Sequence, residues 1–367
     1  MAVLLSILRE VSDPRDFNAR HDLGMVLFVA LAATLCGAKS CVEIADFAAG
    51  REAELGQIVD MPHGAPSHDT FSRVFRLLDP AELARAFTGF MAALRAELGL
   101  GPAKGVVAVD GKSLRRGYEK GRAFFPPLMV GVWDTQTRLS IAQARAPGGN
   151  EVEATLALLG GLVLKGCTVT ADALHCHPRM AAAVRDAKAH YALGLKANHG
   201  PLFAAAQSGF AAAEARLAFS ASEDRQHGRI ERRRASVLPV AGLPLIPDFP
   251  GLKAIGRIQA ERSDPQGRTT TATRYLALSR ILKPQTLLAV ARAHWSIENQ
   301  LHWTLDVVFD EDDARSRKDY GPENLAVIRR MAQNILRLHP STKSISRKMR
   351  QAMWSKEFFF SLFTHMR

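Results

Sequence analysis

The spacing of apolar residues changes character near the end of the first hundred positions. Up to that point apolar residues recur every three or four positions, which is the pattern of amphipathic helices. The segment PSHDTFSRVFRLL predicts a helix that begins at Ser67 or Asp69. A Gly/Pro-rich segment, GLGPAKG at residues 99–105, then marks a boundary. We predict an all-helical N-terminal domain over residues 1–100.

Beyond this boundary, short apolar runs alternate with helical segments over residues 105–215. The runs GVVAVDG, CTVTADA and HYALGLKAN predict strands, and PPLMVGVWDTQTRLSIAQARA predicts a hairpin. Residues 217–283 are strand-rich, and two helical segments, KPQTLLAVARAHWSIENQLHW and PENLAVIRRMAQNILRL, follow them. We predict an α/β domain over residues 101–340 with a β-rich insertion at 217–283, and a basic C-terminal tail over 341–367.

Composition adds a partner and a compartment to this picture. The chain has 367 residues, of which 47% are hydrophobic, so a large core is expected. Lys and Arg number 48 against 36 Asp and Glu, a net charge of +12 that favours a polyanionic partner such as nucleic acid. Ribosomal, membrane-surface or heparin-like partners would give the same charge. The four cysteines form no CxxC pair, which favours a reducing cytoplasm.

The most apolar run is LGMVLFVALAATLCGA, at residues 23–38. It is shorter than the ~20 residues of a comfortable membrane span and contains two glycines. A buried core helix is the favoured interpretation. The N-terminal segment MAVLLSILREVSD lacks the basic start and small-residue cleavage site of a secretion signal.

Two acidic residues follow predicted buried strands. Asp110 comes after VVAV and Asp172 after TVTA. An unpaired charge beside a core costs several kcal/mol, so a carboxylate there is rarely a packing residue. If the two strands are neighbours, the carboxylates repel each other unless a divalent cation such as Mg²⁺ or Mn²⁺ bridges them. For either acid alone, a helix cap is an equally supported role.

A third acid lies in HWSIENQLHWTLDVVFDEDD, which begins at His294. On a helix, His294, Glu298 and His302 share one face. The two histidines are eight residues apart, or ~12 Å along the axis, which is too far for one zinc ion. A merely well-packed helix explains the tryptophans but not an acid between two histidines. Two strand-end aspartates and a glutamate on a late helix are the pattern of two-metal phosphoryl transfer.

These motifs resemble those of the DDE transposases of bacterial insertion sequences, of the ISAs type that includes the H-repeat-associated proteins. The resemblance covers nearly the whole chain. It lies in DPRDFNARHDLGMVLFVALAATLCGAKSCVEIADF, PHGAPSHDTFSRVFRLLDP, VAVDGKSLRRG, TVTADALHCHPRMA, HYALGLKANHGPL, HGRIERR and AHWSIENQLHWTLDVVFDEDDAR. It implies a ribonuclease-H-like catalytic core with the insertion before the glutamate helix. It also implies that Asp110, Asp172 and Glu298 are the catalytic residues and bind two Mg²⁺ or Mn²⁺ ions.

The chain departs from related families at several positions. Related cut-and-paste transposases place Tyr, Arg and Lys around the glutamate, where this chain has Ala291, His294 and Leu305. We therefore expect His294 to replace the arginine as a phosphate contact. Near the second aspartate the family usually has Gly and Gln, where this chain has His175 and His177.

Basic side chains near the acids and in the insertion are expected to contact DNA phosphates, although a solvated turn or strand would also explain them. The predicted contacts are Lys112, Arg115, Arg116, Lys196, His227, Arg229, Arg232, Arg233, His294 and His302. The acidic residues of 306–313 are expected to be solvated and to pair with Arg315, Arg317 and Lys318. In the same segment, Trp303 and Leu305 are expected to pack in the core.

Two other groups of chemically suggestive residues are assigned to structure instead. The adjacent residues SHD at 67–69 cannot form the side-chain geometry of a nucleophilic triad, so we predict a helix start there. The sequence HCH at 175–177 could bind a metal with Cys167, but it has no ligand pairing of a zinc site. A loop is the favoured interpretation.

The function we predict from the sequence is DNA transposition. The protein would hydrolyse DNA at the ends of its own element and join the 3′-hydroxyl to target DNA by transesterification. DNA is the expected partner, a homodimer or higher oligomer the expected assembly, and the nucleoid-associated cytoplasm the expected location. A nuclease of the same fold and a non-catalytic DNA-binding relic remain as alternatives.

Overall fold

The first part of the chain is helical in the computed structural model, which describes residues 2–118, 125–226, 228–244 and 248–364. Ser67, one of the two predicted start positions, is an N-cap, because its Oγ accepts a hydrogen bond from the Thr70 N–H. Six helices precede the first described strand: α1 (Ala2–Arg9), α2 (Leu23–Leu35), α3 (Cys41–Gly50), α4 (Glu52–Leu55), α5 (His68–Leu77) and α6 (Pro80–Glu97).

Helix α2 is apolar on every side, and all thirteen of its residues are buried. The prediction of a core helix here is confirmed. Asp22 begins the helix by accepting a hydrogen bond from the Met25 N–H at 2.8 Å. Among the described residues, no helix combines the length and the apolar character needed to cross a bilayer.

A single mixed sheet forms the centre of the molecule, with strand order β3-β2-β1-β4-β5-β9-β8-β7-β6. The central strands β1, β4 and β5 are parallel, and their neighbours on both sides run antiparallel. The strands are β1 (Val106–Ser113), β2 (Leu128–Asp134), β3 (Leu139–Arg145), β4 (Thr168–Ala171), β5 (His190–Leu195), β6 (Phe219–Gln226), β7 (Arg229–Pro239), β8 (Ala254–Ser263) and β9 (Thr269–Leu278).

The strand-rich segment predicted at 217–283 continues this sheet. Strand β9 pairs antiparallel with β5, from Ala192 opposite Leu278 to Leu195 opposite Tyr275. Strands β8, β7 and β6 then follow outward as a meander. The segment therefore extends the sheet whose parallel strands β1 and β4 position the predicted acids.

The remaining helices surround the sheet. They are α7 (Glu151–Gly160), α8 (Pro178–Asp186), α9 (Gly200–Ala213), α10 (Pro284–His294), α11 (Trp303–Val307), α12 (Gly321–Leu338), α13 (Ile345–Trp354) and α14 (Lys356–Thr364), with a π-helix at Ile297–His302 between α10 and α11.

Helix α12 joins the N-terminal helices to the sheet. It contacts α2, α5, α6 and β3, and most of its residues are buried. Asn334 pairs with the backbone of Ser140 in β3, accepting from its N–H at 3.1 Å and donating to its carbonyl at 2.7 Å. The helices of residues 2–97 thus share one hydrophobic core with the sheet. The predicted domain boundary at residue 100 stays a prediction.

The prediction that residues 341–367 form a basic C-terminal tail is corrected by the structure. Its described part forms α13 and α14, which pack into the core. Phe359 and Phe363 are fully buried, and the ring of Phe363 lies 5.2 Å from that of Phe28 in α2. The basic residues of the segment had favoured a tail. The sequence nevertheless carries the pattern of an apolar helix face, since Phe359, Leu362 and Phe363 recur at helical spacing.

Candidate active site

The pairing of β1 with β4 places the two predicted aspartates side by side. The strands are parallel, with Ala108 opposite Thr170 as their last paired positions. Asp110 and Asp172 are each two residues further along, so both lie at the carboxyl edge and on the same face. The prediction that β1 ends at Asp110 is wrong. The strand continues past this residue, because β2 pairs with it as far as Ser113.

The π-helix brings Glu298 to this edge. Ile297 and Leu301 are fully buried, which fixes one face of the π-helix against the sheet and leaves Glu298 exposed. The Trp303 N–H donates to the Glu298 carbonyl, five residues back, as the wider turn requires. Trp133 in β2 donates from Nε1 to the Ser296 Oγ at 3.0 Å. The beginning of the π-helix is thereby tied to the sheet.

Asp110, Glu298 and His302 converge on one point. Each offers a ligand atom, and these three atoms lie within 4.8 Å of one another. The His302 Nδ1 is 3.3 Å from the Glu298 Oε2 and 3.6 Å from the Asp110 Oδ2. Sequence reasoning had placed His302 near phosphates, and the structure places it against the two carboxylates.

The charges of the two carboxylates are strongly unequal. Burial, then the hydrogen bond and negative charge of Glu298, raise the pKa of Asp110 to about 8. The hydrogen bond from His302 lowers the pKa of Glu298. The two neighbouring carboxyl groups are therefore shifted in opposite directions, Asp110 towards its protonated form and Glu298 towards its ionised form.

Asp172 faces a different partner, His175. The Asp172 Oδ1 accepts from the Leu174 N–H at 3.0 Å and lies 3.1 Å from the His175 Nδ1. These contacts, the His175 bond first, lower the pKa of Asp172. The helix-cap alternative is thus realised, since Asp172 caps the short 3₁₀ turn that follows it.

His175 is completely buried behind Asp172. Its Nε2 lies 2.9 Å from the Thr155 hydroxyl oxygen and 3.6 Å from the Glu151 Oε1. Both ring nitrogens are engaged, so the ring is fixed in one orientation. His175, in the segment 175–177 that was predicted as a loop, thus holds the Asp172 side chain in place.

Glu151, the first residue of α7, is a residue that the sequence analysis missed. Its carboxyl group lies directly over Gly111, where an added Cβ would be 2.6 Å from the Glu151 Cδ. Burial raises the pKa of Glu151, and its charge contributes to the raised pKa of Asp110. A glycine directly after the first aspartate was the signal for this close approach.

His294 lies under the strand ends. Its Nδ1 is 3.0 Å from the Thr170 hydroxyl oxygen, and burial lowers the pKa of its ring. A neutral imidazole is a weak phosphate contact compared with arginine. In the second half of the same segment, Leu305 is buried as predicted, but Trp303 is 55% exposed because the π-helix turns it outward.

Lys112 was predicted to contact DNA and is instead buried. Its Nζ lies 2.6 Å from the Asp306 Oδ1 and 2.9 Å from the Asp312 Oδ1. Both acids neutralise the charge of Lys112. These two ion pairs link the end of β1 to the segment that follows the π-helix. This corrects the assignment of Lys112 as a phosphate contact.

The acidic segment 306–313 also differs from its prediction. Among the described residues it pairs with Lys39, with side chains of 112–116 and with side chains of α12, whereas pairing with Arg315, Arg317 and Lys318 was expected. Its further ion pairs are Arg115 with Asp312 at 3.2 Å, Arg116 with Asp313 at 3.0 Å and Arg330 with Glu311 at 3.2 Å. Arg115 and Arg116 stay largely exposed and accessible.

The arginines of the insertion that were predicted to contact DNA lie on β7, and two of the three are paired with acids of β6. Arg232 contacts Glu223 at 2.8 Å, and Arg233 contacts Asp224 at 2.5 Å. Arg229 is exposed, and so is Lys196, whose charge acts on Asp172. His227 lies outside the described residues.

The two groups assigned to structure make local contacts. Residues 67–69 begin α5. The Cys167 thiol donates to the Ala103 carbonyl at 3.0 Å, and His177 caps α8 by accepting from the Met180 N–H. Cys167 and His177 thus have separate hydrogen-bond partners.

The chain matches known proteins along nearly its whole length. Residues 101–335 match the family described as Transposase DDE domain, and residues 5–91 match the family described as DDE_Tnp_1-associated. Among the similar proteins are two from Escherichia coli (strain K12), "H repeat-associated putative transposase YhhI" and "Putative protein YbfL", both 30% identical. The alignments cover 95% and 94% of this chain, and 94% and 93% of those proteins, respectively.

A solved structure, the piggyBac transposase synaptic complex with hairpin DNA, gives a TM-score of 0.43 at 13% identity. That likeness covers 99% of this chain and 78% of the other, and it is too low to establish a shared fold. The family match over residues 101–335 is independent of it. The chain belongs to the Transposase DDE domain family, of the type that includes the H repeat-associated proteins.

Proposed function

We propose that this protein is a divalent-metal-dependent DNA transposase that cleaves DNA at the ends of its element and transfers the 3′ end to target DNA. The observation that carries the proposal is the convergence of Asp110, Glu298 and His302 in a chain of this family. The strand order β3-β2-β1-β4-β5, with three parallel central strands, supports a ribonuclease-H-like core.

The residues present fit a divalent cation. Asp110 offers oxygen atoms from β1, and Glu298 offers them from the π-helix. Asp172 offers a third carboxylate at the same sheet edge. The raised pKa of Asp110 beside Glu298 is an electrostatic cost that a bound divalent cation would relieve. We propose that Asp110, Asp172 and Glu298 hold two ions, Mg²⁺ or Mn²⁺.

Such ions lower the pKa of an attacking water or 3′-hydroxyl and stabilise the leaving oxygen. The chain's own contribution is orientation. Asp110 is fixed by the sheet, Glu298 by the buried face of the π-helix, and Asp172 by His175. The proton held by Asp110 must leave before its carboxylate can bind a cation.

Basic side chains around this edge are proposed to bind the phosphates of DNA. Arg115, Arg116, Lys196 and Arg229 are exposed and support such contacts directly. Arg232 and Arg233 would exchange their carboxylate partners for phosphates. Roles for His227 and His294 in DNA contact, and a dimeric or larger assembly on DNA, belong to the same proposal.

The experiment uses duplex DNA that carries the inverted repeats flanking the coding frame, a supercoiled target plasmid, and Mg²⁺ or Mn²⁺. We expect the protein to release cleaved ends and to form joined product. Asp110→Asn, Asp172→Asn and Glu298→Gln should each reduce joining at least about a hundredfold. All three should keep DNA binding in a gel-shift assay, because the basic surface is unchanged.

Asp69→Asn is the matched control, because Asp69 is an exposed acid at the start of α5. This variant should join DNA at the rate of the unsubstituted protein. Cleaved ends without joined product would support a nuclease in place of a transposase. Binding of the repeats without any cleavage would support the relic, and unimpaired joining by the Glu298→Gln protein would contradict the proposed site.

A further inference from the structure

The second histidine of the π-helix has a position that DNA contact does not explain. His302 is 6% exposed, whereas a phosphate contact requires an accessible side chain. Its Nδ1 points at Glu298 and Asp110, and the three side chains enclose one small volume. The imidazole is therefore part of the carboxylate site and not of the surrounding surface.

We propose that His302 is a direct ligand of the catalytic cation, so that the ion held between β1 and the π-helix has one nitrogen and two carboxylate donors. This inference rests on the proposed metal-dependent function and names a donor additional to the three acids. Asp172, occupied by His175, would hold the second ion.

The distances support direct ligation. Ligands in adjacent positions of an octahedral ion with bonds of about 2.1 Å are roughly 3.0 Å apart. The Nδ1 atom is 3.3 Å and 3.6 Å from the two carboxylate oxygens. Shifts of a few tenths of an ångström would bring the Nδ1 atom to this spacing from both oxygens.

Both donors of the π-helix come from one short segment. Glu298 and His302 are four residues apart, and their side chains approach to 3.3 Å in the wide turn. Ile297 and Leu301 bury the opposite face. The backbone of the π-helix is thus fixed before any cation binds, which favours a preorganised ligand pair.

An imidazole ligand changes which metal ion the site prefers. Mg²⁺ favours oxygen donors, whereas first-row transition ions accept nitrogen readily. We therefore expect the site to select Mn²⁺ over Mg²⁺ more strongly than a site of carboxylates alone. Conversion of His302 to glutamine, which keeps a polar group of similar length, should remove this preference.

The test is pulsed electron paramagnetic resonance of Mn²⁺ bound to the full-length protein without DNA. A coordinated imidazole gives a ¹⁴N modulation of the electron spin echo, and protein labelled with ¹⁵N-histidine should show the ¹⁵N pattern in its place. The labelling arm needs no substitution, so it remains decisive even if a variant folds poorly.

Two variants locate the nitrogen. His302→Gln should lose the modulation and bind Mn²⁺ at least about tenfold more weakly. His294→Gln is the matched control, because His294 is the other histidine of this segment and its Nδ1 is bonded to Thr170. The modulation should persist in that control, and circular dichroism should show that both variants are folded.

The outcomes separate this inference from the proposed function. Bound Mn²⁺ without nitrogen modulation, or modulation that survives His302→Gln, would overturn the ligand assignment and leave the three-acid site intact. A protein that binds no Mn²⁺ at all would contradict the metal-dependent function itself.

Discussion

Asp110 is an acid whose ionisation the fold opposes. Its pKa is raised from 3.8 to about 8 in the folded protein, by burial first and by Glu298 next. Between these values the folded chain holds a proton that the unfolded chain has released. The stabilising contribution of this proton is complete below pH 4 and is lost as the pH rises through 8.

We therefore predict that Asp110→Asn stabilises the metal-free protein at high pH. At pH 8 in a chelator, the variant should have a free energy of unfolding at least about 1 kcal/mol above that of the unsubstituted protein. The difference should shrink towards pH 5, because the free-energy cost of protonating Asp110 on folding falls as the pH approaches its ordinary pKa of 3.8. Urea unfolding at both pH values measures it, with Asp69→Asn as control. A difference that does not change with pH would contradict the assigned cause.

Residue-level chemistry was predictable where it depends on local pattern. Asp110 and Asp172 follow apolar runs, and a buried run that ends in an acid is informative by itself. Lys112 was misassigned because its partners, Asp306 and Asp312, lie about two hundred positions away in the sequence. Glu151 was missed for the same reason, since only the folded chain brings it over Gly111.

At the scale of elements, the π-helix depends on its attachment to β2. The Trp133 Nε1 donates to the Ser296 Oγ, which in turn donates to the Ala293 carbonyl at 2.6 Å. Trp133 is fully buried, so this hydrogen bond is shielded from water. The bond fixes the residue that precedes the π-helix and, through it, the direction of Glu298.

A double-mutant cycle tests this attachment. Trp133→Phe and Ser296→Ala should each destabilise the protein, and the pair should do so by less than the sum of the single effects. The interaction energy should be about 1 kcal/mol, the usual value of one buried hydrogen bond. Chemical denaturation measures all four proteins. Strict additivity would show that the two side chains act independently.

The sequence predicted the elements better than their joining. The strands of 217–283 were predicted from strand-like segments, but the pairing of β9 with β5 links residues about eighty positions apart. The π-helix has no periodicity of its own over six residues, so an ordinary helix was expected. The exposure of Trp303 follows from that extra width.

At the scale of the whole molecule, the helices at both ends of the chain meet in one core. Phe28 of α2 contacts Phe363 of α14, and Phe47 of α3 lies 6.1 Å from Phe359. The same core extends to the buried strands that carry the acids. Loss of packing at the C-terminal helices should therefore weaken the fold that supports the site.

Phe363→Ala should lower the free energy of unfolding by about 3–5 kcal/mol, because the fully buried ring leaves a cavity against α2. Trp354→Ala is the control in the preceding helix, since Trp354 is 72% exposed and its loss should change stability by no more than about 0.5 kcal/mol. Urea denaturation followed by circular dichroism and by tryptophan fluorescence measures both. If the C-terminal helices folded apart from the sheet, Phe363→Ala would split the unfolding into two transitions, whereas one shared core requires the two signals to change together.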